Sequence, residues 1–257
     1  MNPGQENNRV ATSEGEHQER SVGSFYRFLE WFAIITFPMA LVGSLYIAFN
    51  HLIFHHAWWV ILPALLAGYL LGDFISGFVH WFFDTFGKDT LPFIGKAIIE
   101  PFRVHHVRPE EITWHDFGET NGNSFLLGLV FIIPVYWICL TANPGDFWAV
   151  YSTLIILLSA VFSICANQIH KWSHMEAVPG FIAWMQKYHL ILNPAHHDKH
   201  HTAPFDRNYC ISCGWMNHVL DAMYFWRFME FMLGLFGMQN QRILEQESAI
   251  RMKHGAG

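Results

Sequence analysis

Seven of the seventeen histidines in this 257-residue chain fall between Asn167 and His201, in NQIHKWSH and HLILNPAHHDKHH. In a helix, His170 and His174 lie one turn apart on a single face, with Asn167 a turn earlier on the same side. Asn193-Pro194 is a helix-start signal, because proline at the first helical position forfeits no hydrogen bond. Pro204 marks a point by which that helix has stopped. His197, His200 and His201 then stand at i, i+3 and i+4, again on one face. Two imidazole-bearing faces about 25 residues apart predict a metal site and not a scatter of polar residues.

Further donors stand in HWFFD (His80, Asp84) and in FRVHHVRPE (His105, His106). A lone histidine at a helix end is ordinarily a hydrogen-bonded interfacial residue, and an HH pair in a loop is ordinarily solvated. The HxxxH and HxxHH patterns, taken with the other clusters, carry the metal reading. Its proposed ligands are His80, His105, His106, His170, His174, His197, His200 and His201, with His115, His189 and His196 as additional candidates. Asp84 and Asn167 are expected to orient imidazoles and not to bind metal themselves. Eight nitrogens exceed the four of a structural zinc site. Divided between two ions they supply about four each and leave room for water or dioxygen. Imidazole alone leaves zinc, copper, nickel and iron open.

The elements that must position these residues are apolar. Runs at roughly 29–49, 57–83, 125–141 and 147–169 are long enough to cross a bilayer, which takes about 20 helical residues. Arg9, Arg20 and Arg27 precede the first span; Lys88, Lys96, Arg103 and Arg108 separate the second from the third; the remaining basic residues, from Lys171 to Lys253, follow the fourth. The connections near residues 50 and 142 contain no lysine or arginine. Four spans therefore put every basic segment on one side, which the positive-inside rule assigns to the cytoplasm. All eight candidate ligands fall at that side, whereas His51, His55 and His56 fall at the other. The segments 178–192 and 211–236 are apolar but interrupted by Lys187, Asn217, Asp221, Arg227 and Glu230. They read as interfacial helices, a fifth and sixth span being the alternative. The expected architecture is all-α: a membrane domain over 24–238, between a disordered tail at 1–23 and a polar, solvated tail at 239–257.

Composition agrees. The chain is 52% hydrophobic, 17% aromatic and only 14% charged, too apolar for a disordered protein and low in charge for a soluble one. A net charge of −6 without a basic stripe argues against nucleic acid. The polar N-terminus has no apolar core and does not read as a signal peptide. Cys139 and Cys165, in apolar runs, are expected to be small core residues. Cys210 and Cys213 form a single CxxC, a weak zinc signal without a second pair.

Location narrows the metal. A centre opening onto the ends of membrane helices faces acyl or alkyl chains. Their C–H bonds yield to dioxygen activated at iron and not to acid–base chemistry, which points to a dinuclear iron oxygenase or desaturase. A zinc transporter or metal sensor is the alternative of a different class. A transporter needs polar ligands at mid-membrane, and only Asp73 lies that deep.

HWFFD at 80–84, PFRVHHVRPEEITWHDFGETNGN at 101–123, NQIHKWSH at 167–174, HHDKHH at 196–201 and YCISCGWMN at 209–217 resemble the plasmanylethanolamine desaturases (the Kua/CarF family). The similarity covers roughly residues 65 to 235. It implies an enzyme that removes one hydrogen from each of the two carbons next to the ether oxygen of an ether phospholipid, leaving the vinyl ether of a plasmalogen. It further implies two iron ions, dioxygen and two electrons, the electrons coming from cytochrome b5 or a bacterial equivalent. The family's histidine boxes match His170–His174 and His197–His201, and its other ligands match His80, His105 and His106. The related plant phosphatidylglycerol desaturase shares this layout, matching the same eight and departing at His115, His189 and His196. Because histidine clusters do not name the substrate, desaturation or hydroxylation of another, fatty-acyl lipid is the runner-up. The FGETNGN segment favours the ether-lipid branch. In it Glu119, Asn121 and Asn123 are candidates for headgroup or ligand-orienting contacts, although Asn-Gly-Asn-Ser would equally form a turn and cap before the third span. The endoplasmic reticulum is the expected location in a eukaryote and the inner membrane in a bacterium.

Overall fold

The computed structural model describes residues 23–54, 57–92, 94–141, 143 and 146–244. The N-terminal tail through residue 22, His17, His55, His56, His254 and the tail beyond 244 lie outside the described residues. Helix α1 covers Ser24–Phe54, α2 Ile61–Thr85 and α3 Glu100–Val107, the last extending a π-turn at Gly95–Ile99. Helix α4 covers Phe117–Thr141, α5 Phe147–Ile164 and α6 Ala166–His174; four shorter helices follow: α7 Gly180–Lys187, α8 Pro194–His197, α9 Trp215–Ala222 and α10 Phe225–Leu235. No strand occurs among the described residues.

Four stretches are long and apolar enough to cross a membrane: Ser24–His51, Trp58–Thr85, Phe117–Thr141 and Phe147–His174. The four expected spans are borne out. Their outer faces carry exposed Met39, Leu62, Val130, Phe131 and Trp137, a surface that water would penalise and lipid does not. The segments 178–192 and 211–236 form helices of at most eleven residues, too short to span. Tyr224, at φ 52°, breaks α9 from α10. Phe181, Trp184, Trp215, Phe228 and Phe231 are exposed on these helices, as suits elements lying in a membrane interface.

Helix α1 packs along α4 and α2 along α5, with α5 also meeting α1 and α4. Ala33, Phe37, Leu129, Ile132 and Leu157 fill the space between α1, α4 and α5. The α2–α5 approach is close because α2 presents Gly68 and Gly72: a methyl on either would sit 2.5 Å from Leu158 Cβ or 2.6 Å from Phe162 Cβ. Small residues four apart are a common means of bringing two membrane helices together. That approach sets His80, near the end of α2, beside His170 on α6.

Three local expectations are corrected. Helix α4 starts at Phe117, two turns before the expected third span, so Asn121–Ser124 are helical and not a preceding turn. Its cap is Asp116: the Glu119 amide donates to Asp116 Oδ1 (2.8 Å), and the Asp116 amide donates to Glu119 Oε2 (3.1 Å), a reciprocal capping box. Cys139 is buried as expected, but Cys165 is exposed at the turn between α5 and α6. Arg242, in the segment expected to be solvated, is 8% exposed and ion-paired with Glu230 at 2.8 Å.

Candidate metal centre

The antiparallel arrangement of spans brings the C-terminal ends of α2 and α6, the α3 connection and the α8 segment to one end of the bundle. Asn193 starts α8 as its sequence predicts, its side chain accepting from the Ala195 amide at 3.0 Å. The helix is only four residues long, shorter than Pro204 required, because the chain turns at Asp198–His200. The turn preserves the intended face. The His200 and His201 amides donate back to the His197 carbonyl, and all three rings point inward.

Two donor groups result. His105, His170, His174, His197 and His201 form one, and His80, Asp84, His106 and His200 the other; within each, one ligand atom per residue lies within 4.8 Å of every other. The two groups adjoin, the ring centres of His80 and His170 being 5.6 Å apart. All eight expected imidazoles are thus brought together, and Asp84 stands among them. Asn167 and His115 line an adjacent cavity, and neither belongs to a donor group. His189 is exposed, and His196 Nε2 accepts from Asn217 Nδ2 at 3.0 Å, away from the cluster. His51, on α1, stands at the opposite end of the bundle, roughly 40 Å from the helix's first residue at 1.5 Å per residue.

The hydrogen-bonding chemistry of both groups fits a cation. His197 Nε2 lies 2.7 Å from His170 Nε2, 2.9 Å from His174 Nε2 and 3.0 Å from His201 Nε2. One proton can serve only one of these contacts. In the other group, His80 Nδ1 donates to the Tyr209 carbonyl (3.1 Å) and His200 Nδ1 to the Arg207 carbonyl (2.8 Å). A carbonyl only accepts, so both protons sit on Nδ1 and both Nε2 lone pairs face inward. They face Asp84 Oδ2 at 3.3 Å each, itself an acceptor, and neither nitrogen has a hydrogen-bond partner. Lone pairs opposed in a buried space are costly; a metal ion between them removes the conflict.

Burial reinforces this. His105, His197 and His200 are held below the usual histidine range, burial being the largest cause, with neighbouring imidazoles adding for His105 and His197. Neutral imidazole is the form that binds metal. His106 is the exception: burial opposes its charge, but the Asp84 carboxylate, 2.9 Å away, outweighs this and raises it.

Sequence reasoning missed the supports beneath these residues. Asp73, the one acidic residue deep in α2, is a cap and not an ion ligand. Its Oδ1 accepts from the amides of Cys213 (2.8 Å) and Gly214 (2.9 Å), and its Oδ2 from that of Met216 (2.9 Å). This ties the 209–216 strap, which carries the Tyr209 carbonyl, to α2. Arg242 donates to the Tyr209 hydroxyl and to the Phe205 carbonyl, bracing the same strap from below. The Asp-to-amide signal was present only as an isolated acid in an apolar run; Arg242 gave none. Asn123 Nδ2 donates to the Ala97 carbonyl (2.9 Å), Asn121 Nδ2 to Gln168 Oε1 (3.1 Å), and Arg27 Nη2 to Glu119 Oε1 (3.1 Å). FGETNGN therefore knits α1, α4, α6 and the π-turn together.

Four apolar helices with two buried histidine groups at one end define an integral membrane protein with a metal-competent centre. Within that class, the chain belongs to the lipid desaturase family, whose domain matches residues 69–242. It is 47% identical over 169 residues to plasmanylethanolamine desaturase of Myxococcus xanthus, covering 65% of this chain and 58% of that protein. It is 37% identical over 217 residues to mouse plasmanylethanolamine desaturase 1, covering 82% and 79%. It is 33% identical over 163 residues to Arabidopsis thaliana chloroplastic fatty acid desaturase 4, covering 62% and 48%. No solved structure matches. The resemblance read from the motifs is borne out.

Proposed function

We propose that this chain is a membrane lipid desaturase that forms the vinyl-ether bond of plasmalogens at a histidine-ligated di-iron centre. The observation that carries the reading is the convergence of eight imidazoles and Asp84 as two adjoining donor groups in a chain related to enzymes of that name. The overall change is R–O–CH2–CH2–R′ + O2 + 2 e⁻ + 2 H⁺ → R–O–CH=CH–R′ + 2 H2O. When bound, two irons would supply the dioxygen chemistry. The five-histidine group would hold one and the His80–Asp84–His106–His200 group the other. The protein's own work is to bring nine donors together before substrate arrives, with the Tyr209 and Arg207 carbonyls orienting His80 and His200, and to hold the two reacting chain carbons against the centre. No further acid or base is assigned.

The basic segments at the site-bearing end favour a cytoplasmic centre, fed by cytochrome b5 or a bacterial equivalent. The membrane would be the endoplasmic reticulum in a eukaryote and the inner membrane in a bacterium. The Arabidopsis relative keeps acyl-chain desaturation as the second reading. Expression in plasmalogen-free cells supplied with alkyl-ether lipid, followed by lipid mass spectrometry, tests the proposal. Vinyl-ether lipid is expected with the native chain and none with His170→Ala. Two irons per purified chain support it; one zinc, or plasmalogen persisting in the variant, would sink it.

A further inference from the structure

A cavity of about 220 Å³ opens beside the five-histidine group, with His105 and His170 in its wall. The rest of its lining is charged to an unusual degree for this chain: Lys96, Arg108, Glu100 and Glu111 all face it. Trp114, Phe117 and Val107, in the same stretch of chain, are exposed. Exposed aromatic and apolar side chains in the segment that also lines a charged hollow suit a membrane interface. The volume falls below the roughly 300–1,000 Å³ of pockets that enclose drug-sized ligands, so it suits a small polar group and not a long chain.

We infer that this cavity receives the zwitterionic phosphoethanolamine headgroup of the substrate, Lys96 and Arg108 taking the phosphate and Glu100 and Glu111 the ammonium. The inference rests on the ether-lipid reading above, and the covalent geometry of that lipid supports it. Six bonds join the nearer reacting carbon to phosphorus through the ether oxygen and glycerol. At the roughly 1.2 Å advance per bond of an extended chain, that is roughly 7 Å. A desaturase acting on the first two chain carbons must therefore bind the phosphate directly beside its metals. One acting nine carbons down would hold it roughly 10 Å further away. Here the charged hollow shares two residues with the donor group itself. Arg108 Nη1 and Glu111 Oε1 pair at 2.7 Å with half-exposed Arg108, so a zwitterion can exchange that pair for a phosphate–guanidinium and an ammonium–carboxylate contact without leaving a charge unmatched. Guanidinium suits phosphate because its planar fork donates to two oxygens at once.

The test uses the full-length, iron-loaded protein in lipid nanodiscs, supplied with dioxygen and reduced cytochrome b5. Its substrates are plasmanylethanolamine and the same ether lipid with a bare phosphate headgroup. Lys96→Gln with Arg108→Gln should raise KM about tenfold or more for both lipids, with kcat within twofold. Glu100→Gln with Glu111→Gln should raise KM for the ethanolamine lipid alone and erase the preference for it. Affinity of the metal-free protein for a short-chain ether lipid should follow the same order, and metal content should stay native. An unchanged KM in both variants would overturn the inference. So would a fall in kcat at constant KM, which would make the cavity a water and proton path. Native protein forming no vinyl ether on either lipid would overturn the substrate reading itself; activity in the native chain with indifferent variants would overturn the headgroup assignment alone.

Discussion

At Asp84 a single carboxylate oxygen meets the Nε2 atoms of His106, His80 and His200 at 2.9, 3.3 and 3.3 Å. An orienting role and a ligand role predict different losses. Removing a group that only orients a ligand costs about 10- to 100-fold in affinity or activity, whereas removing a ligand from a four-donor group should empty it. Asp84→Asn keeps the size and deletes the charge. On the di-iron proposal it is expected to lower iron from two per chain to about one, with activity down more than a hundredfold, measured by metal analysis and lipid turnover. Two irons retained with a smaller loss would return Asp84 to the orienting role read from its sequence. That reading was limited by what spacing can convey. HWFFD shows that Asp84 shares a helical face with His80 because the relation is local. It says nothing of His106 and His200, which reach the same oxygen from other segments. His170, His174, His197, His200 and His201 were legible because each cluster repeats on its own face, and His80, His105 and His106 were read only together with them; the structure leaves His115, His189 and His196 apart.

Among the elements, the strap from Tyr209 to Met216 determines how well the second donor group is held. It lies against α2 at Gly77, where an added methyl would stand 2.5 Å from Cys210 Sγ and 3.0 Å from the Cys210 backbone. Gly77→Ala must push the strap outward. A cost of about 1–3 kcal/mol, typical of overpacking, is expected as a lowered Tm. On the di-iron proposal, metal should be lost first from the group containing His80, whose Nδ1 partner moves. Gly234→Ala is the control. Nothing lies within 4 Å of its added methyl, and alanine should stabilise exposed helix α10 by up to about 1 kcal/mol. Equal effects from the two substitutions would contradict this account of the strap. The spans themselves were plain from hydropathy, a local quantity. The break at Cys165, the early start of α4 and the brevity of α8 were not. Each is decided by a partner distant in sequence or by a turn that apolar composition masks.

For the molecule as a whole, one end carries the donor groups and the other carries His51 and the connections free of lysine and arginine. With Cys165 replaced by serine, Asn50→Cys and Glu176→Cys should react with a membrane-impermeant thiol reagent from opposite faces of sealed vesicles, Glu176→Cys from the cytoplasmic face. Labelling from a shared face would refute the four-span topology, and exchanged faces would invert it. The bracing of Tyr209 by Arg242 adds a consequence in time. The four spans can be delivered into the bilayer as they leave the ribosome, but at that stage His197, His200 and His201 and the arginine beneath them have yet to be made. Maturation therefore divides into insertion first and metallation afterwards. On the di-iron proposal, a cell short of iron would accumulate inserted, inactive protein able to be charged later without new synthesis.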